Sequence, residues 1–408
     1  MMDAVLTRTI GLLVAAILVA IIARRVRLPY TVGLVLAGIC LAVSGLETGA
    51  MLTHDFIFEV ILPPLLFESA LSIRWRELRR DMLPVLVLST VGVAISAAAV
   101  AAGMAEFSAW PIAPAVVFGV LIAATDPIAV LAMFKDTGMK GRLSLLVESE
   151  SLFNDGVAAV LFVLAFTWAQ ATDSSQLTTS TVASTLAFMT SGGVLVGVAC
   201  GGAAIAIAGR TSDHLVEATL TAVAAYGSFL LAENLQFSGV LATVAAGLLM
   251  GNLGVLREEE SRNIFSADGR SFVIGLWEFA AFIANSLIFL LIGLRVAAVP
   301  LTGVGVRALL IAIGLVLTGR ALTVYPVYLL FRRSRWAIPM REQHILWWGG
   351  LRGALALALA LALPRSFPLY NEILITAFGV VVFSVFVQSL TMPWLLRKRK
   401  ACQGGESI

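Results

Sequence analysis

The chain alternates long apolar runs with short clusters of charge, and the runs have the length of membrane helices. A hydrocarbon core about 30 Å thick takes roughly 20 apolar residues per helical crossing, fewer where a helix is short or broken. Thirteen stretches qualify: residues 4 to 23, 30 to 45, 55 to 72, 83 to 104, 112 to 134, 144 to 170, 183 to 208, 214 to 233, 238 to 252, 272 to 294, 303 to 331, 343 to 363 and 370 to 396. The short alternating strands of a membrane barrel are absent from this pattern. It predicts an all-α polytopic bundle of about thirteen transmembrane helices. The first stretch has few cations before it and Arg24, Arg25 and Arg27 after it, the reverse of a cleaved signal peptide, so it is expected to remain as a span.

Composition agrees with a membrane protein. Of 408 residues, 59% are hydrophobic and 13% charged, against the about 25% that a soluble surface needs. With thirteen spans the loops alternate sides, and the basic residues sort with them. One side holds Arg24, Arg25, Arg27, Arg74, Arg76, Arg79, Arg80, Lys135, Lys140, Arg142, Arg210, Arg257, Arg262, Arg270, Arg332, Arg333, Arg335, Arg341 and the run Arg397 to Lys400, which is 22 of the 28 Lys and Arg. The other side holds Arg8, Arg295, Arg307 and Arg365, while Arg320 and Arg352 fall inside spans. The positive-inside rule makes the richer side the cytoplasm. The expectation is a multi-pass cell-membrane protein with its N-terminus outside and its C-terminus in the cytoplasm.

The net charge of +3 therefore reports topology, and the expected partners are the lipid bilayer and small ions, with no nucleic acid. The longest polar segment, Arg257 to Arg270, reads as a connector, and the tail 397–408 is short and basic. Residues 1–408 form a single transmembrane unit whose work is done within the membrane. Cys40, Cys200 and Cys402 have no metal or redox spacing and receive no role.

Charge inside the spans is the informative departure. A charged side chain at the bilayer centre costs at least about 2.5 to 3.5 kcal/mol, so each one is a functional candidate. Glu59 and Glu68 lie in "FEVILPPLLFESAL", Asp126 in "AATDPIAV", and Glu148, Glu150 and Asp155 in "ESESLFNDG", followed by Glu217, Glu278, Arg320 and Arg352. In the sixth span Ser151 and Asp155 are four apart and share one helix face, and Glu150 and Asn154 share the adjacent one. A hard monovalent cation wants several oxygens with limited negative charge, which the Asp155 carboxylate and Ser151 hydroxyl begin to supply.

Two spans carry breaks. Pro127 removes a donor and disfavours helix at Asp126, which frees the carbonyls of Ala123 to Thr125 deep in the fifth span. In the twelfth, "WWGGLRGALALALALAL", Gly349, Gly350 and Gly353 surround Arg352. Arg352 keeps its proton and needs an anion, for which Glu150 is the first expected partner and Asp126 the second. Six helices stand on each side of the seventh span, and each set holds one interrupted member. Copies separated by an odd span enter the membrane in opposite directions, the inverted-repeat plan of secondary transporters.

"TDPIAV", "ESESLFNDG" and "GLRGALALAL", in that order and on those spans, resemble the monovalent cation/proton antiporter superfamily, in particular its sodium/proton exchangers with an Asn-Asp pair. "ILPPLLFE" and "ANSLIFLLIGL" fit the same family, and the likeness covers nearly the whole chain. The resemblance implies a homodimer in which dimerisation or scaffold helices, 1–75 and 183–299, flank ion-translocating core helices, 83–170 and 303–396. It implies that Asp155 and Asp126 bind the ion (Na+), with Ser151, the Thr125 carbonyl and, through water, Glu68. It further implies that Asn154 braces the unwound fifth span beside Pro127, and that Glu150 and Arg352 form a buried ion pair. The long tail of animal exchangers has no counterpart, so regulation through one is not expected.

The implied activity is secondary antiport of sodium, lithium or potassium against protons, with no cofactor and no enzymatic step. A proton and a cation compete for Asp155, either filled form crosses by alternating access, and the empty charged form is held back by the cost of moving a bare charge. Asn154 in place of a second acid makes the cycle one-for-one and electroneutral. A sodium-coupled symporter of a small organic anion is the alternative, and it would need a substrate pocket that the sequence does not display. An intramembrane aspartyl protease using Asp126 and Asp155 leaves Pro127 and Arg352 unexplained.

Overall fold

A computed structural model describes residues 2–26, 29–44, 54–139, 141–170, 179–256, 264–298 and 306–403. Of the features named above, the boundaries at 1, 45, 299 and 303, Arg27, Lys140, Arg257, Arg262 and residues 404–408 lie outside the described residues. The described residues form fifteen helices and no strand, counting each π-helical turn with the α-helix it continues. They are α1 (Met2–Val26), α2 (Tyr30–Val43), α3 (56–72), α4 (Trp75–Ser108), α5 (Ile112–Leu121), α6 (Ile128–Thr137), α7 (Arg142–Gln170), α8 (Thr179–Ala208), α9 (His214–Asn234), α10 (Gly239–Val255), α11 (Ala267–Ala298), α12 (Val306–Phe331), α13 (Met340–Trp348), α14 (Ala354–Ala362) and α15 (370–403). Seven are long and apolar enough to cross a membrane alone. The pairs α5/α6 and α13/α14 each replace one expected span, interrupted where Pro127 and the Gly349–Gly353 cluster fall.

Local chemistry explains where the helices depart from ideality. Pro63 and Pro64 have no N–H to return to the preceding turn, and that turn, Phe56–Ile61, is π-helical. The Val60 carbonyl, whose helical partner would be Pro64, accepts instead from the Tyr226 hydroxyl of α9 at 3.2 Å. Between α3 and α4 the chain turns in two residues, and one amide satisfies both sides. Asn252 of α10 accepts from the Trp75 main-chain N–H at 2.7 Å and donates to the Ile73 carbonyl at 2.9 Å. Helix α4 starts earlier than the predicted span because its polar first turns find partners; Asp81 is buried there against Arg142, with contacts of 2.7 to 3.1 Å.

Helix α11 runs along α2, close enough that backbone meets backbone. A methyl on Gly38 would stand 2.9 Å from the Gly293 Cα, and only a pair of glycines allows that approach. Helix α10 packs between α8 and α3, and α9 against α8 and α11. A second set of contacts joins α4 to α12 and α5, α5 to α7, and α14 to α5 and α15. The two sets touch along α3, α7, α10 and α14, and the polar residues of interest collect at that seam.

Candidate functional site

The two interruptions cross each other. The main-chain N–H of Asp126 donates to the Leu351 carbonyl at 2.8 Å, tying one unwound segment to the other. Gly353 is required by this approach, since a Cβ there would overlap the Asp126 carboxylate. The Asp126 side chain then serves two helix starts. Its Oδ1 accepts the Ile128 N–H of α6 at 3.0 Å, and the carboxylate lies against the N–H of Ala354, the first residue of α14. Helix N-termini carry partial positive charge, so one carboxylate compensates two of them.

Arginines compensate the opposite ends. Arg352, 1% exposed, donates through Nη1 to the carbonyls of Ala123 and Ala124, at 2.6 and 3.0 Å, just past the C-terminal end of α5. Arg320 of α12 donates to the Leu346 carbonyl in the last turn of α13, at 3.1 Å from Nη2 and 3.3 Å from Nε. Cations at carbonyl-rich helix ends and an anion at amide-rich ends make each break electrostatically self-consistent.

This arrangement corrects one expectation. Glu150 pairs with Arg320, which grips it with both Nη1 and Nη2, the second at 2.8 Å; the expected Glu150–Arg352 ion pair is not formed. Freed carbonyls of the broken fifth span take the Arg352 guanidinium instead. No partner for Arg320 was legible from its place in the chain. Two lone arginines on neighbouring spans compete equally for Glu150 on paper, and helix rotation, which periodicity does not set, decides between them.

Helix α7 brings the remaining residues to the crossing. Ser151 Oγ donates to the Thr125 carbonyl, and Asn154 Nδ2 donates to Thr125 Oγ1 at 3.2 Å and to the Ala123 carbonyl at 3.4 Å. One turn of α7 thereby replaces donors that the interrupted helix lacks. Asp155, on the Ser151 face, opens with Thr125, Asp126 and Ser151 into a cavity of about 440 Å³. Glu68 and Ser69 of α3, Lys135 of α6, Glu148 of α7, and Glu278 and Asn285 of α11 also line it. Glu148 accepts from Ser72 at 2.9 Å near one end.

Asp155, Asp126, Ser151, Thr125, Glu68 and Pro127 therefore share one cavity, while Asn154, Glu150 and Arg352 stand behind its wall. Glu148, Glu278 and Asn285 received no role from the sequence, and only the acids offered a signal, being charges in a span. Oδ2 of Asp126 is buried without a hydrogen-bond partner. Among the described residues no three His, Cys, Asp or Glu side chains converge as a multivalent-metal site. Two carboxylates with a hydroxyl and a carbonyl suit a singly charged hard ion.

Residues 12–398 match the family described as sodium/hydrogen exchanger, transmembrane. The Na(+)/H(+) antiporter ApNhaP of Aphanothece halophytica is 38% identical over 377 residues, 91% of this chain and 70% of that protein. The low-affinity Na(+)/H(+) antiporter NhaS1 of Synechocystis is 37% identical, over 91% of this chain and 69% of its own length. The solved structure of the sodium proton antiporter MjNhaP1 from Methanocaldococcus jannaschii, at pH 8, superposes with a TM-score of 0.75 at 21% identity, over 96% of this chain and 99% of that one.

Proposed function

Because the chain belongs to the sodium/hydrogen exchanger family and is a multi-pass Na+/H+ antiporter, we propose that both ions pass through one site centred on Asp155. The crossed interruption carries this reading: together with α7 it brings the Asp155 and Asp126 carboxylates, the Ser151 hydroxyl and the Thr125 carbonyl to one cavity. The Ser151 hydroxyl bonds the Thr125 carbonyl, and an arriving cation draws both oxygens to itself. Glu68 meets the ion's water from the α3 side.

Charge balance supports one-for-one exchange. On the moving body the Glu150–Arg320 pair is neutral, Lys135 and Glu148 offset each other, Arg352 contributes one positive charge, and Asp126 and Asp155 contribute two negative ones. The empty site therefore holds one excess negative charge, and one Na+ or one proton cancels it. Either filled form crosses without carrying net charge into hydrocarbon, while the empty form is held back by that cost. Obligatory exchange follows.

The moving body in this proposal is 83–170 with 303–396, turning against 1–75 and 183–299, which also supply the contact of a homodimer. The separate packing of the two helix sets supports that division. The basic-loop asymmetry supports a cell-membrane orientation with the N-terminus outside and a cavity that opens to the cytoplasm, since Ser72, Lys135 and Glu148 lie near loops assigned to that side. The symporter alternative gains nothing from relatives that are antiporters.

Asp155→Asn keeps the shape and removes the exchangeable charge. In proteoliposomes loaded with a pH-sensitive dye, wild-type protein answers a Na+ pulse with proton movement, and the variant is expected to give none. Exchange by the variant at near-normal rate overturns the assignment.

A further inference from the structure

Helix α11 shows the cavity a face built from Glu278, Ala281, Phe282 and Asn285, spaced three, four and seven apart as one helical stripe. Asn285 at its inner end is 9% exposed, and its side-chain oxygen has no hydrogen-bond partner. Polar residues on membrane helices usually serve as glue between neighbours. The residue next to it does so: Ser286 Oγ bonds the Tyr30 hydroxyl of α2 at 2.7 Å. Asn285 does not, and a buried amide oxygen without a partner costs free energy in every state where nothing meets it. It lines the same cavity as Asp155, Asp126, Ser151 and Thr125, from a helix that carries none of them.

We propose that the Asn285 amide oxygen is a further ligand for the transported cation, met directly or through one retained water, and engaged only while the site opens into this cavity. The inference rests on the antiport reading above. A neutral oxygen suits the position because a further carboxylate would add negative charge beside Asp126, Asp155 and Glu68. Asp126, Asp155, Ser151 and Thr125 belong to the moving body and travel with the ion, whereas α11 belongs to the stationary one. Contact with Asn285 is therefore lost on crossing, and it deepens the binding well on one side of the membrane only.

The test measures half-saturating Na+ concentration on each face separately, in inside-out and right-side-out vesicles that contain the full chain. Asn285→Ala is expected to raise it about fivefold on the cavity face, the loss of about one hydrogen bond's worth of affinity, and to leave the other face unchanged. Ser151→Ala, whose ligand travels, is expected to raise it on both faces. Asn285→Asp, equal in shape, is expected to lower it on the cavity face and guards against a folding defect in the alanine variant. An unchanged cavity face in both Asn285 variants, or equal shifts on both faces, overturns the proposal. Wild-type vesicles that show no Na+-driven proton movement overturn the antiport reading instead.

Discussion

Glu150 and its partner show how residue-scale chemistry sets the site's cost. Both members are nearly inaccessible, at 2% and 7% exposure, and removing one charge strands the other in a dry interior. Arg320→Leu or Glu150→Leu should each cost about 3 to 5 kcal/mol, and the double variant much less than the sum. Thermal unfolding in detergent reads this out. Coupling of Glu150 to Arg320, and not to Arg352, is the discriminating result. Which residues share a helix face was legible in the sequence, because Ser151 and Asp155 sit one turn apart. Which arginine reaches Glu150 was not, because that depends on how three helices rotate against one another. Asn285 was equally hidden: an uncharged residue in an apolar run raises no alarm until a cavity is seen beside it.

At the scale of elements, the interruptions were written in composition. A proline after Asp126 and glycines around Arg352 each break a helix for stated covalent reasons, so the fifth and twelfth spans could be expected to split. Their hydrogen bond to each other, Asp126 to Leu351, was not available to a reading that treats each span alone. Gly353 is the tightest point of the crossing. Gly353→Ala is expected to displace the Asp126 carboxylate and slow transport about a hundredfold, the usual penalty for misplacing a reacting group by about an ångström. Gly314→Ala on α12 is the control, because an added methyl there meets nothing within 4 Å. Dye-based exchange assays on matched amounts of protein compare the two. Equal rates would remove the crossing from the mechanism.

For the whole molecule, hydropathy was enough to anticipate an all-helical bundle, since the bilayer imposes length on every element. Packing partners such as α2 with α11 and α8 with α10 are distant in sequence and left no trace beyond scattered glycines. The charge count over the molecule's interior makes a separate prediction. With one charge exchanged for one, clamping the membrane potential with potassium and valinomycin should leave the wild-type rate nearly unchanged. A steep dependence on voltage would show that charge crosses in net amount.

The turn between α3 and α4 carries a last consequence. Ile73 and Arg74 alone join those helices, and Asn252 grips the chain on either side of Arg74, at Ile73 and Trp75. If α3 stays still while α4 moves, so short a leash makes Trp75 the fulcrum. The far tip of α4, roughly 50 Å away at 1.5 Å per residue, then travels much farther than the turn that anchors it.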